Sequence, residues 1–295
     1  MKFIIVLALC IATVVAIGNE EINWNEVKNL NLDPIIPVVA QSRNGPTGRI
    51  TSGQPATPKQ FPHQAGLMLY ANAGRYWCGG SVISNRWVLT AAHCTDDLKE
   101  GVDVYLGAWN RRDISEKHQS RIFVETKHVI VHENWDPVKL VDDISLIKLP
   151  VEIEFNEYIQ FINLPKISGS YASYVDEAAF ASGWGQTSDK NDESSSPDIL
   201  QWAKVPIMAN KGCNNYYFGS VKSTNICIRT SGGGASICGG DSGGPLQLAD
   251  GSNTLVGITS FGIRFGCEKG FPGVFTRVTS YVDWIKEHSG VVNSV

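Results

Sequence analysis

From Ile50 onward the chain is a succession of short apolar runs, each broken within a few residues by Gly, Pro, Asn or Asp. Runs of this length bounded by turn formers read as β-strands. The candidates are Gln64 to Tyr70, Gly80 to Ile83, Trp87 to Thr90, Val102 to Leu106, Arg121 to Val131, Ile144 to Leu149, Ala178 to Ala181, Leu200 to Ile207, Leu255 to Ser260 and Gly273 to Val278. Helical periodicity is nearly absent between them, which argues against an alternating β-α architecture. One helix is predicted, at the C-terminus. Ser280 is placed to cap it, Asp283 occupies the capping-box position, and Val278, Val282 and Ile285 fall on one side. The polar stretch Gln186 to Pro197 is expected to lie outside.

The first 49 residues differ in character. Phe3 to Ile17 form an apolar block behind Lys2, too short to span a bilayer but matching a signal peptide over residues 1–17, with small residues near Ala16 for cleavage. Residues 18–49 are rich in Asn, Glu and Pro, poor in aromatics, and end in Ser42-Arg43-Asn44-Gly45-Pro46-Thr47-Gly48-Arg49. So polar a segment struggles to bury a core of its own. It reads as a pro-segment or exposed linker, followed by a domain over residues 50–295 that begins with Ile50 directly after the basic Arg49.

Cysteine usage agrees with export. Cys10 would leave with the signal, and the six that remain are Cys78, Cys94, Cys213, Cys227, Cys238 and Cys267. An even set in a secreted chain reads as disulfides, whose pairing the sequence alone does not select. Metal binding is the weaker reading, because there is no Cys-x-x-Cys pair and no His-rich cluster. The net charge of −4 comes with no basic run, so no nucleic-acid partner is indicated. No second apolar block of spanning length occurs, and no Asn-x-Ser/Thr sequon.

Three stretches could carry chemistry. Cys238-Gly239-Gly240-Asp241-Ser242-Gly243-Gly244-Pro245 suits a nucleophile seat, but taken alone it suits a tight surface turn equally well. Its letters also satisfy the nucleophile elbow of α/β-hydrolases. His93, in Thr90-Ala91-Ala92-His93-Cys94, alone reads more readily as a structural histidine. The pair Asp142-Asp143 ahead of Ile144 to Leu149 alone reads as a solvated turn.

Together these stretches resemble the chymotrypsin-fold serine peptidases over essentially all of Ile50 to Val295. The likeness also rests on Gly183-Trp184-Gly185, Ser260-Phe261-Gly262 and Pro272-Gly273-Val274-Phe275. Within that family the chain is most similar to arthropod secreted chymotrypsin-like enzymes and serine collagenases. The order His93, Asp143, Ser242 differs from the Ser, acid, His order of α/β-hydrolases and argues against the elbow. The resemblance implies an all-β fold of two packed six-stranded antiparallel β-barrels with a short C-terminal α-helix.

It also implies roles. Ser242 would attack, His93 would act as base and then acid, and Asp143 would orient it, with Asp142 turned to solvent. Gly240 and Ser242 would supply oxyanion-hole N–H groups. Cleavage after Arg49 would free the Ile50 ammonium to pair with Asp241 and order that loop. The implied disulfides are Cys78 with Cys94, Cys213 with Cys227, and Cys238 with Cys267. Ser236 would lie at the base of the specificity pocket, with Gly262 and Gly273 on its walls, predicting cleavage after Phe, Tyr, Leu or Met. Ile237 would shorten the pocket if it points inward, and Glu268 would admit basic residues if it faces the pocket. Glu116, in the loop Gly107 to Arg121, reads as solvated, and no metal or other cofactor is expected.

The expected partners are protein or peptide substrates, a trypsin-like activating peptidase and protein inhibitors, with no nucleic acid or membrane. The chain is expected to be a secreted, extracellular monomer with a digestive role. The alternatives are a catalytically silent homologue that uses the fold for binding, and a broad-specificity collagenolytic peptidase.

Overall fold

Residues 23–29, 53–189, 196–230, 236–263 and 266–292 are described by the structure, a computed structural model. Two short strands come first, β1 (Val27–Asn29) and β2 (Gln54–Pro55). The first sheet is built from β3 (Gln64–Ala71), β4 (Gly74–Val82), β5 (Trp87–Thr90), β6 (Leu98–Leu106), β7 (Ser120–Glu125), β8 (Val129–Val131) and β9 (Ser145–Lys148). Its order is β7-β6-β3-β4-β5-β9-β8, with β1 attached to β4. The second contains β10 (Ala178–Gly183), β11 (Gln201–Met208), β12 (Asn225–Ile228), β13 (Pro245–Leu248), β14 (Leu255–Phe261) and β15 (Gly273–Arg277). Its order is β10-β13-β14-β15-β12-β11-β2, and a further β10–β11 pairing closes it into a barrel.

The mostly-β, two-barrel architecture agrees with the sequence expectation, and the departures from six strands have local causes. The single strand expected over Arg121 to Val131 is interrupted by a 3-10 turn at Thr126–His128, which makes two strands of one. The two-residue β2 adds an edge to the second barrel by pairing with Gln201 and Trp202. β1 adds in parallel, in register Val27 with Arg75, Lys28 with Tyr76 and Asn29 with Trp77. The segment expected to be an exposed linker is therefore seated on the first barrel at residues 27–29.

Side-chain alternation explains the apolar runs. On β3, Leu67 and Leu69 enter the first barrel's core with Val88, Leu106 and Leu146, while Met68, on the opposite face, packs with Trp77, Tyr105 and Trp184. Both faces of β3 are thus covered, so its run is apolar throughout. β11 is covered on one face only: Ala203, Val205 and Ile207 are buried, and Lys204 and Pro206 are exposed. Between the barrels, the rings of Trp77 and Trp184 meet edge-on at 5.8 Å, and the Ser182 hydroxyl donates to Gln64 Oε1 at 2.7 Å.

Three short helices complete the fold: α1 (Ala92–Thr95), α2 (Asn210–Tyr217) and α3 (Val282–Ser289). Val278, Val282 and Ile285 are buried as expected and join the first barrel's core, so the chain crosses back from the second barrel to the first at its end. The expected Ser280 cap is absent. Val278–Ser280 form a 3-10 turn, Tyr281 takes the N-cap position without a side-chain cap bond, and its hydroxyl donates to Asp142 Oδ1 at 2.7 Å. Of the expected outer loop Gln186 to Pro197, Asp189 is exposed, Gln186 is half-buried with its N–H donating to Gly239 O at 2.7 Å, and residues 190–195 lie outside the described residues. Among the described residues no helix is long and apolar enough to cross a membrane.

Candidate active site

β5 ends at Thr90, and α1 turns His93 back into the cleft between the barrels; Asp143 lies just ahead of β9, beside β5 in the same sheet. Both side chains are almost fully buried, and His93 Nδ1 lies 2.8 Å from Asp143 Oδ2. The carboxylate also accepts the His93 backbone N–H at 3.0 Å and the Ser260 hydroxyl at 2.5 Å, and the Asp143 carbonyl accepts the Thr276 hydroxyl at 2.7 Å. Strands β14 and β15 of the second barrel thereby grip an acid that belongs to the first. Burial pushes the Asp143 carboxyl up, but the His93 ring, the Ser260 hydroxyl and the His93 backbone N–H outweigh it and hold the group below the ordinary carboxylate range. A carboxylate facing Nδ1 makes that nitrogen the donor and leaves Nε2 with its lone pair. Nε2 is buried with no hydrogen-bond partner among the described residues.

The loop around Ser242 is pinned from below by the first barrel. Gly79 N–H donates to Ser242 O at 2.7 Å, and the Thr90 hydroxyl donates to Gly79 O at 2.8 Å. Gly243 N–H donates to Thr259 O at 2.8 Å, next to the Ser260 that holds Asp143. At Gly243, φ is +77° and a Cβ would lie 2.1 Å from Thr90 Oγ1, so only glycine fits the turn after the serine. Disulfides join Cys78 to Cys94, Cys213 to Cys227 and Cys238 to Cys267; the first fastens α1 to β4, and the last fastens the loop around Ser242 to the turn at Cys267–Lys269. Cys78, His93 and Cys94 sit close enough to suggest a metal site, but both sulfurs are consumed in a disulfide and offer no thiolate.

Asp241 is buried beside this turn. Its Oδ1 accepts the Gly185 N–H and its Oδ2 the Cys238 N–H, each at 2.9 Å. Burial pushes its carboxyl up to about 6, against the pull of those two donors and of Arg111. Among the described residues it has no ion pair. A Cβ added at Gly183 or Gly185 would lie 2.4 or 2.3 Å from the carboxylate, which explains both glycines of Gly183-Trp184-Gly185. Arg49 and Ile50 lie outside the described residues.

Ser236 is buried, with its hydroxyl on Ile237 O at 3.2 Å. Ile237 is buried in the second barrel's core, and a Cβ at Gly273 would meet its Cγ1 at 2.9 Å, whereas a Cβ at Gly262 would meet open space. Ile237 therefore packs against one of the two proposed pocket walls. Glu268 is engaged elsewhere: its Oε2 accepts the Asp189 N–H at 2.9 Å, and its own N–H donates to Asp189 Oδ1 at 3.2 Å. Glu116, expected to be solvated, is only 8 % exposed at its side chain. It accepts N–H groups of Trp109 at 3.0 Å, Asn110 at 2.8 Å and Gln119 at 3.1 Å, closing its own loop, because a buried carboxylate needs such donors. Asp142, expected to face solvent, is half-buried under the Tyr281 hydroxyl.

The family model described as Trypsin matches residues 50–285. Serine protease 1 of Drosophila melanogaster is 43 % identical over 244 residues, covering 83 % of this chain and 87 % of that protein. Brachyurin of Leptuca pugilator is 40 % identical over 242 residues, covering 82 % of this chain and 99 % of that one. The solved structure of HL collagenase superimposes with a TM-score of 0.71 at 38 % identity, covering 81 % of this chain and 98 % of the other.

Proposed function

This chain belongs to the trypsin family and is a serine endopeptidase, and from that premise we propose that it is a secreted zymogen whose triad is His93, Asp143 and Ser242. The observation that carries the assignment is the buried 2.8 Å contact between His93 Nδ1 and Asp143, which leaves Nε2 as a base without a partner. Nε2 takes the Ser242 hydroxyl proton as Oγ attacks the scissile carbonyl, and Asp143 stabilises the imidazolium that forms. The tetrahedral oxyanion is met by the N–H groups of Gly240 and Ser242, each such donor being worth roughly 3 kcal/mol. His93 returns the proton to the leaving amine, and the acyl-enzyme is hydrolysed by water activated in the same way. Ser242→Ala should lower turnover on the order of 10⁶-fold; a variant retaining more than about a thousandth of wild-type activity would contradict the assignment.

Residues 1–17 serve as signal peptide and 18–49 as pro-segment, with activation by a trypsin-like peptidase after Arg49. The support is Asp241, a buried carboxylate that among the described residues accepts the backbone N–H groups of Gly185 and Cys238 and has no ion pair, and so stands ready for a cation such as the Ile50 ammonium. The enzyme then cuts after large apolar residues. Ser236 at the pocket base is uncharged, the Glu268 carboxylate is turned to the Asp189 N–H, and burying an aromatic or Leu side chain gains roughly 1.5 to 3 kcal/mol. Ile237 against Gly273 makes the pocket shallow and favours Leu and Met over Tyr. The activity is digestive protein breakdown, and the likeness to HL collagenase supports collagen as a further substrate. Peptides varied at the residue before the cut, assayed beside native collagen on the trypsin-treated enzyme, test both readings. A preference for Lys or Arg would refute the first, and intact collagen the second.

A further inference from the structure

The pro-segment contains no cysteine, so no disulfide can hold it after a cut at Arg49. It nevertheless lies on the first barrel. Val27–Asn29 pair in parallel with Arg75, Tyr76 and Trp77 on the β4 edge that β5 leaves uncovered, since β5 reaches only Ser81 and Val82. Just upstream, Trp24 enters a slot made by one indole and two guanidinium groups. Its ring lies 5.6 Å from that of Trp77, 5.2 Å from the Arg111 guanidinium and 5.3 Å from that of Arg112.

Arg111 is unusual. It is 2 % exposed, has no carboxylate within ion-pair distance among the described residues, and its Nε lacks a hydrogen-bond partner. The faces of Trp24 and of Trp77, the latter at 4.9 Å, receive its charge instead. Because the pairing is parallel, β1 and β4 run the same way, and β4 continues through Cys78 to Gly79, whose N–H holds the Ser242 carbonyl. At a rise of about 3.3 Å per residue, Asn29 lies roughly 7 Å along β4 from that contact.

We propose that the Arg75–Trp77 edge and the Trp24 slot form a receptor site for residues 23–29, which keeps the pro-segment bound without a covalent link after cleavage and blocks the approach of substrate to Ser242 along β4. Strand addition supplies the main-chain bonds, and the indole between two arginines supplies the anchor.

The test has two arms, of which only the second rests on the Arg49 cut proposed above. In an uncleavable Arg49→Gln chain, hydrogen exchange at Arg75–Trp77 should be slow, and Trp24→Ala should speed it. In the trypsin-treated enzyme, with the cut confirmed by mass and the pro-segment removed, a peptide of residues 18–49 should bind and raise KM without lowering kcat. The Trp24→Ala peptide should bind about tenfold or more weakly. Exchange indifferent to Trp24, no binding up to about 1 mM, equal binding of both peptides, or binding that leaves KM unchanged would each overturn the proposal. A cut found elsewhere than Arg49 would refute the zymogen reading and leave the exchange arm standing.

Discussion

Asp241 should make the uncut chain lose stability as the solution is made less acidic. In the folded chain burial raises its carboxyl from the ordinary 3.8 to about 6, so between those values the native state holds a proton that the unfolded state releases. Stability falls with pH wherever the native state binds more protons, and each tenfold in proton affinity is worth roughly 1.4 kcal/mol. The loss therefore runs from about pH 4 to about pH 6 and amounts to about 3 kcal/mol, absent below that window and complete above it. The Arg49→Gln chain and the same chain carrying Asp241→Asn would be unfolded in urea from pH 4 to 7 with disulfides intact. The difference between their stabilities isolates this residue, and it should grow against the aspartate by the stated amount across the window. After cleavage at Arg49 in the wild-type sequence the sign should reverse. A paired ammonium holds the carboxyl low, so the aspartate then stabilises the enzyme above the ordinary carboxylate pKa and loses that effect on acidification. Parallel curves for the Asp and Asn chains before cleavage would refute the reasoning from burial, and an unchanged slope after cleavage would refute the pairing with Ile50.

Three further outcomes are expected. Ser260→Ala removes one of the donors that hold Asp143 ionised, so its carboxyl should rise and the loss of a hydrogen bond to a charged group should cost roughly 1.5 to 3 kcal/mol in urea unfolding at neutral pH; wild-type stability would count against it. Gly185→Ala places a methyl 2.3 Å from Asp241 Cγ and should cost about 1–3 kcal/mol in urea unfolding while impairing activation; wild-type behaviour in both measurements would show that the cradle yields. Ile237→Ser should deepen the pocket and shift kcat/KM toward Tyr and Phe over Leu, by on the order of 10–200-fold for the loss of pocket methylenes; an unchanged ratio would place that side chain outside the specificity pocket.

The barrels were legible because their strands bury alternating or continuous apolar faces, and β3 and β11 show both patterns directly. The stretches carrying His93 and Ser242 stand out in the sequence because their neighbours are constrained, as the fit of Gly243 against Thr90 illustrates. What the sequence hid depends on distant partners. α2 begins Asn-Lys-Gly-Cys-Asn-Asn, a poor helix by propensity, and is held by the Cys213–Cys227 disulfide and by Asn210 donating to the carbonyls of Lys222 and Asn225. Glu116 and Glu268 read as solvent or pocket acids in the sequence, because the N–H groups that engage them are set by loop geometry. Val27–Asn29 show no strand pattern of their own, because their pairing is borrowed from an edge nearly fifty residues away.

Covalent labelling of Ser242 by an organophosphate, before and after limited trypsin treatment, reaches the central claim most directly. The label should appear on Ser242 only after the Arg49–Ile50 bond is cut, and Ser242→Ala and His93→Ala chains should stay unlabelled. No label on the cleaved wild-type enzyme would contradict the triad, and equal labelling before and after the cut would contradict the zymogen switch.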